Sequence, residues 1–262
     1  MGDRIDIAVN GAAGRMGQAV LRVSAECDDV RIVAALVRPD SSRAAQTPTA
    51  VKGIAFDIDC SSTLDASLQP AVLIDFSGAS GFDAALALAR ARRMAFVCGS
   101  TGLSARQNAA MEEAASAIAL LWSANFSLGV AALMRAVRDV AYCLPDWDCE
   151  IVETHHRHKR DAPSGTALAL GRAVAETRGQ EFDRVAQRDM RRNARNDGDI
   201  GFAVVRGGDV AGDHTVLFIG AGERIELTHR AGDRDIFARG AVAAARWIAG
   251  RAPGRYELDQ IS

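Results

Sequence analysis

Residues 5–37 read IDIAVNGAAGRMGQAVLRVSAECDDVRIVAALV, and their pattern sets the architecture of the first half of the chain. Ile5 to Asn10 is a short apolar strand. Gly11-Ala12-Ala13-Gly14-Arg15-Met16-Gly17 follows, and then a helical run to about Glu26. Met16, Ala19, Val20 and Val23 recur at three- and four-residue steps and so share one helix face. Val30 to Val37 reads as a second buried strand. Strand, glycine turn, helix and strand in this order form one βαβ unit.

Gly11, Gly14 and Gly17 sit where the strand turns into the helix. A tight turn there lets backbone N–H groups and the helix N-terminus face a pyrophosphate. The spacing is G-x-x-G-x-x-G rather than the usual G-x-G-x-x-G, and glycines also end strands for steric reasons alone. Its place inside a βαβ unit is what points to dinucleotide binding. In such sites an acidic residue after the second strand holds the ribose 2′-OH. Here Val37 stands there, then Arg38, with Ser41, Ser42 and Arg43 close behind. An arginine at that place suits a 2′-phosphate and predicts NADPH ahead of NADH; otherwise it is a solvated loop residue.

Outward from this unit the alternation continues. Residues 38–70 are polar and irregular, with a weak strand at Gly53 to Ile58. Strands are expected at Val72–Phe76, Ala95–Cys98 and Leu120–Ala124, with helices at Phe82–Arg92 and Ser104–Ile118. Ser104 and Gln107 form a capping box. Alternating strands and helices imply a parallel, doubly wound sheet, whose strand C-terminal edge carries Gly99-Ser100-Thr101-Gly102. After Asn125 the grammar changes. A helix at Gly129–Cys143 ends before Pro145. Asp148–His156 alternates only imperfectly as a half-buried strand, and a helix runs from about Thr166 to Thr177. Residues 183–199 read as a polar loop. Strands at Ile200–Val205, Thr215–Ile219 and Arg224–His229 follow one another without helices, which suggests an antiparallel or mixed sheet. A helix at Ile236–Ile248 and a polar tail close the chain.

The 262 residues are enough for one large domain or two ordinary ones, and 48% hydrophobic with 24% charged residues is the balance of a globular protein. A net charge of −2 supplies no global field toward nucleic acid or membrane, so neither is expected as a partner. Five cysteines, an odd number and without C-x-x-C spacing, suit reduced thiols in a cytoplasm. No signal-peptide core or membrane-span run stands out, and a cytoplasmic protein is expected.

Three of the five histidines fall at His155, His156 and His158, among Arg157, Lys159, Arg160 and Asp161. Three chemical readings compete. A metal site is opposed by the surrounding cations, and no metal is expected. An anion-binding acid/base site draws on imidazoles that titrate near neutrality, a lysine donor, and the helix start at Ser164-Gly165-Thr166. The third reading is an exposed basic turn. The glycine turn favours the second: a hydride donor in one domain and a proton donor with an anion grip in the other make a reductase.

At Glu153 to Ala167, ETHHRHKRDAPSGTA, the chain resembles the 4-hydroxy-tetrahydrodipicolinate (dihydrodipicolinate) reductase family of the diaminopimelate route to lysine. The family signature E-x-H-H-x-x-K-x-D-A-P-S-G-T-A stands there in full. Gly11 to Gly17, Asp75-Phe76-Ser77, Gly99 to Gly102, Ala124-Asn125-Phe126-Ser127, Thr228-His229 and Phe237-Ala238 extend the resemblance over nearly the whole chain.

The resemblance implies NAD(P)H-dependent reduction of a cyclic hydroxy-dicarboxylate, 4-hydroxy-tetrahydrodipicolinate, with loss of water. It implies His155 as proton donor and acceptor and Lys159 as second donor, with His156, Gly165 and Thr166 on the substrate. Cofactor contacts are implied at Gly11, Ala12, Ala13, Gly14, Arg15 and Met16, at Gly99, Ser100 and Thr101, and at Ser123, Ala124, Asn125 and Phe126. It further implies a homotetramer built through the sheet of the second domain, and a last helix that returns to the first. The expected α/β fold is then a Rossmann-like doubly wound sheet over 1–126 and 237–262. An α+β domain with a mixed sheet fills 127–236, for substrate and oligomerisation. Many bacterial relatives carry glutamate before the arginine after the second strand; Val37 replaces it here, which again favours NADPH. The competing class is a non-catalytic dinucleotide sensor, which needs the glycine turn but no histidine–lysine pair. His158 and Arg160 have no readable role.

Overall fold

The computed structural model describes residues 4–41, 58–188 and 195–261. In chain order the elements are β1 (Ile5–Asn10), α1 (Arg15–Ala25), β2 (Val30–Leu36), β3 (Cys60–Ser61), β4 (Val72–Asp75), α2 (Ala79–Ala91), β5 (Ala95–Cys98), α3 (Ala105–Ala115) and β6 (Ala119–Trp122). Then come α4 (Leu128–Cys143), β7 (Asp148–His155), α5 (Gly165–Thr177), α6 (Phe182–Val185), β8 (Ala186–Gln187), β9 (Ile200–Arg206), β10 (Gly212–Ile219), β11 (Arg224–Ala231), α7 (Asp235–Ile248) and β12 (Gly254–Tyr256). The chain divides into two compact units, Met1–Ser127 with Asp235–Ser262, and Leu128–Arg234.

The first unit is a sheet of seven strands in the order β12-β6-β5-β4-β1-β2-β3, and its pairs are parallel. Strands β4 and β5 are buried along their whole length, as a sheet covered by helices on both faces requires. Ala8, Leu73, Phe96 and Leu120 pack with Phe82 of α2 and Met111 of α3. Helices α1 and α7 pack on each other and on the same sheet. Arg246 of α7 binds Asp29 at 2.6 Å, and Arg22 of α1 pairs with Asp235. The chain runs β1-β2-β3 to one side and β4-β5-β6 to the other, so the topological switch lies between β1 and β4. Helix α3 starts at the expected capping box, with the Gln107 N–H donating to Ser104 Oγ and the Ser104 N–H to Gln107 Oε1.

The second unit is a mixed sheet in the order β11-β10-β7-β9-β8, with β7 parallel to β9 and antiparallel to β10. Helices α4 and α5 pack on it. Cys149, Ile151, Glu153 and His155 of β7 point inward in strict alternation, opposite the buried positions Gly212, His214, Val216 and Phe218 of β10. The inner face is apolar at the Ile151–Val216 end and polar at the Glu153–His214 end.

Several sequence expectations are corrected. The tail holds β12, which pairs with β6; Tyr256 meets Trp247 edge-on at 5.4 Å, and Arg251 stacks on that indole at 3.5 Å. Residues 183–199 are not simply a loop, because α6 and β8 occupy 182–187 and β8 pairs with β9. The weak strand at Gly53–Ile58 lies outside the described residues except for Ile58, which is not in a strand; β2 is instead flanked by β3. Ser42 and Arg43 also lie outside them. Helix α2 starts three residues early, at Ala79, after Gly78 with φ 76°.

A Cβ at Gly240 of α7 would stand 1.7 Å from the Phe126 carbonyl oxygen. Gly240→Ala is expected to lower stability by about 2–3 kcal/mol, since an overpacked interior must shift. The urea midpoint should fall at an unchanged denaturant slope; an unchanged midpoint would mean that α7 does not pack this closely.

Candidate active site

In the first unit the glycine turn closes on itself. The Gly11 and Ala12 N–H groups both donate to the Leu36 carbonyl at 3.0 Å, and the Gly14 N–H donates to the Gly11 carbonyl at 2.9 Å. Gly11 has φ 78°, and a Cβ there would lie 2.8 Å from the Phe76 carbonyl atoms, so only glycine fits between β1 and β4. A Cβ on Gly17 would meet the Gly11 oxygen at 2.2 Å, which seats α1 tightly under the turn. Helix α1 has no side-chain cap and no acidic residue in its first turn. Gly14 and Arg15 are exposed at that end, Ala13 and Met16 are half-buried, and Ala12 is buried. This is a bare helix start that suits an anion.

Beside it, the buried carboxylate of Asp75 gathers the ends of three strands. It accepts from Asn10 Nδ2 at 2.7 Å, the Ser77 N–H at 3.2 Å and Ser100 Oγ at 2.7 Å. The Cys98 thiol lies 3.6 Å away, and burial and the Asp75 charge push its pKa up, so it stays neutral. Ser100 Oγ in turn accepts from the Gly78 N–H, and the Ser100 carbonyl from Trp122 Nε1. Gly99 lies against the Phe76 ring, where a Cβ would come within 2.1 Å. Phe76 meets Phe126 edge-on at 5.7 Å. Thr101 and Ala124 are exposed, and Ser123 Oγ donates to the Asn125 carbonyl at 2.7 Å. The loops at 11–16, 76–78, 99–101 and 123–126 therefore stand at one edge of the sheet, the C-terminal ends of its strands. Arg38 is exposed and lies 3.6 Å from Asp40, whereas the Val37 side chain is buried.

In the second unit the inward polar residues of β7 form one cluster. Glu153 is 1% exposed, and each of its oxygens accepts two hydrogen bonds. Oε2 takes His155 Nδ1 and Arg206 Nη1, both at 2.6 Å; Oε1 takes Arg206 Nη2 at 2.7 Å and the Ser164 N–H at 2.9 Å. Burial would raise the Glu153 pKa, but the hydrogen bonds from Arg206, His155 and Ser164 outweigh it and hold the carboxyl below its usual range. Arg206 ends β9 opposite His155 and also donates to the Asp161 carbonyl at 2.7 Å. Ser164 caps α5: its Oγ accepts from the Ala167 N–H at 3.1 Å and lies 2.9 Å from His214 Nε2. The His214 ring stands edge-on to His155 at 5.1 Å.

The structure thus brings His155 close to the start of α5, where Gly165 is exposed and Thr166 half-buried. A Cβ on Gly165 would meet nothing within 4 Å, so there is room beside that first residue of the helix. Lys159 Nζ pairs with Asp161 at 2.8 Å and draws its pKa down. His156 is half-buried, 3.4 Å from an Arg234 nitrogen; burial, then Arg234 and the neighbouring His158, His155 and Lys159, lower its pKa. His158 and Arg160 are exposed. Sequence reasoning missed Arg206 and His214. Arg206 is the last residue of β9, one position beyond the expected strand Ile200–Val205, and His214 stands just before the expected strand Thr215–Ile219, because β10 begins three residues earlier, at Gly212.

Burial, and then the His155 charge, hold the His214 pKa down at about 4, from 6.5. The unfolded chain therefore binds more protons than the native one between those values. Stability from this site is fully present above pH 6.5 and is lost as pH falls toward 4, by about 3 kcal/mol over the window. His214→Gln should flatten this part of the stability–pH curve, measured by urea unfolding; an unaltered slope would refute the burial of a neutral imidazole.

Comparison with known proteins agrees with both halves. Residues 5–126 match the family description "Dihydrodipicolinate reductase, N-terminus" and residues 129–261 match "Dihydrodipicolinate reductase, C-terminus". The 4-hydroxy-tetrahydrodipicolinate reductase of Alkalilimnicola ehrlichii is 45% identical over 260 residues, 97% of each chain. That of Nitrosomonas eutropha is 40% identical over 261 residues, covering 98% of this chain and 97% of its own. Among solved structures, a dipicolinate-bound dihydrodipicolinate reductase from Paenisporosarcina sp. TG-14 shares the fold, with TM-score 0.79 at 22% identity over 99% of this chain and all of that one. The DAP dehydrogenase of C. glutamicum shares it more distantly, with TM-score 0.58 at 13% identity, covering 100% of this chain and 95% of its own. With both family halves matched in order and full-length relatives at this identity, the chain belongs to the 4-hydroxy-tetrahydrodipicolinate reductase family.

Proposed function

We propose that this chain reduces 4-hydroxy-tetrahydrodipicolinate to tetrahydrodipicolinate with loss of water, in the diaminopimelate route to lysine. The observation that carries the reading is the Glu153–His155 pair beside the start of α5, where Gly165 is exposed, within a chain of this family. Besides a hydride donor, reduction of a cyclic dicarboxylate needs a proton carrier and a grip on the carboxylates, and this pair and helix start offer both. A non-catalytic sensor would have no use for them.

The glycine cradle fits a nicotinamide dinucleotide: Gly11 admits no side chain, and α1 presents an uncapped start. Gly11 to Met16 would hold the pyrophosphate, with Gly99 to Thr101 and Ser123 to Phe126 lining the rest of the cofactor. When bound, the reduced nicotinamide supplies the hydride. NADPH is the favoured form, because the exposed Arg38 can meet a 2′-phosphate while the buried Val37 offers the ribose no carboxylate.

Gly165 and Thr166 would grip a substrate carboxylate, helped by His156. His155 would deliver the proton to the carbon left electron-rich after reduction, and the Lys159 ammonium would offset the negative charge that develops. The relative from Paenisporosarcina was solved with dipicolinate, a planar dicarboxylate of the same ring class.

A homotetramer built on the second sheet is supported by its outer face, where Val205 is 47% exposed and Ala203 lies open beside it. Among the described residues no helix is long and apolar enough to cross a membrane. The five cysteines are free thiols, which fits the cytoplasm as the place of action.

His155→Gln should lower turnover by about a hundred- to ten-thousand-fold, followed as NAD(P)H absorbance decay with substrate made in situ. Wild-type turnover in that variant would refute the assignment. Arg38→Ala should raise the KM for NADPH about tenfold, the loss of one charged contact, with little effect on NADH; equal effects on both cofactors would remove Arg38 from the 2′-phosphate.

A further inference from the structure

The family reading assigns His155 a proton but leaves open what sets its tautomer and its hold on that proton. An imidazole can carry a single proton on either ring nitrogen, and the partner of one nitrogen decides what the other can do. The Nδ1 partner of His155 is Glu153 Oε2 at 2.6 Å. That carboxylate sits below its usual pKa range, so it is ionised and can only accept. Nδ1 must therefore bear a hydrogen, and Nε2 is the nitrogen left to exchange a proton. Gly212 lies on the Nε2 side of the ring, where a Cβ would come within 2.9 Å of that atom.

We infer that Glu153, clamped by Arg206, is a positioning residue for the reduction: it holds His155 as the Nδ1–H form and stabilises the imidazolium that donates from Nε2. This rests on the proposed role of His155. Glu153, sealed from solvent, acts through His155 rather than on substrate or cofactor. The same carboxylate accepts the Ser164 N–H, so one group holds both the proton carrier and the cap of α5, whose first residues are proposed to grip the substrate.

Charge bookkeeping around His155 fixes the direction of each effect. On its own strand is Glu153, and across on β9 is Arg206, which offsets that charge through both of its terminal nitrogens. On β10 stands His214, which burial keeps neutral at working pH, and behind it on β11 stands His229, whose pKa burial also lowers. On the following loop are His156 and the Lys159–Asp161 pair. Glu153 is the anion in direct contact with the His155 ring, so its loss withdraws the support of the imidazolium and leaves Arg206 to oppose it. Loss of Arg206 does the reverse.

The test is the pH dependence of kcat/KM for Glu153→Gln and Arg206→Met, each checked for native circular dichroism, beside His155→Gln. Activity requires the protonated donor, so it falls as pH rises through the donor's pKa. In Glu153→Gln that alkaline limb should move to lower pH by about one unit or more, the usual effect of a contacting opposite charge. In Arg206→Met it should move to higher pH. A residue that only supports the fold would change the amplitude and leave the limb in place. The inference is overturned by a folded variant whose limb stays put or moves the other way. If His155→Gln itself retains turnover, the functional reading fails instead, which keeps the two failures distinct.

Discussion

A carboxylate sealed from water must find its countercharge and its donors inside the protein, or it will not stay ionised. Glu153 finds four donors from three places: the imidazole two residues on, both arms of Arg206 on the neighbouring strand, and a backbone N–H at the start of α5. All its acceptor positions are filled. Removing any one donor would leave a buried charge partly unpaired, which costs more than an ordinary hydrogen bond returns. The arrangement of β7, β9 and α5 at the polar end of this sheet depends on that saturation.

The rest of the second unit places the donors. Strand β7 lies between β9 and β10, so a residue pointing inward from it faces groups from both neighbours. Further down the same face Ile151, Val216 and Phe218 are fully buried with Leu170 and Val174 of α5. This apolar end supplies the packing energy, and the polar end carries the chemistry. The first unit follows a related logic, with buried Asp75 drawing together Asn10, Ser77 and Ser100 at the strand ends that flank the topological switch. In both units a buried acid fixes loops that would otherwise be free to wander.

The sheet of the first unit was legible because fully buried parallel strands are continuous apolar runs and α3 carries its own cap signal. Short elements were not: β12 and β8 have two or three residues and exist through pairing with β6 and β9, which no local pattern announces. Strand β7 looked irregular for a physical reason. Its alternation is strict, but Glu153 and His155 occupy inward positions where a structural strand would place apolar residues. The site broke the very pattern used to find strands. The family signature located His155 and Lys159, yet Arg206 and His214 arrive from strands some 50 residues later in the chain, and their convergence on Glu153 and Ser164 is a property of sheet register.

An ionised Glu153 dictates the protonation of His155. Nitrogen-15 NMR of the histidine-labelled, unmodified protein reads this directly, with His155→Gln identifying the resonance. The expected spectrum is that of a neutral His155 protonated at Nδ1 and bare at Nε2, with the Nδ1 proton far downfield from its short bond to the carboxylate. A neutral ring protonated at Nε2 would contradict it.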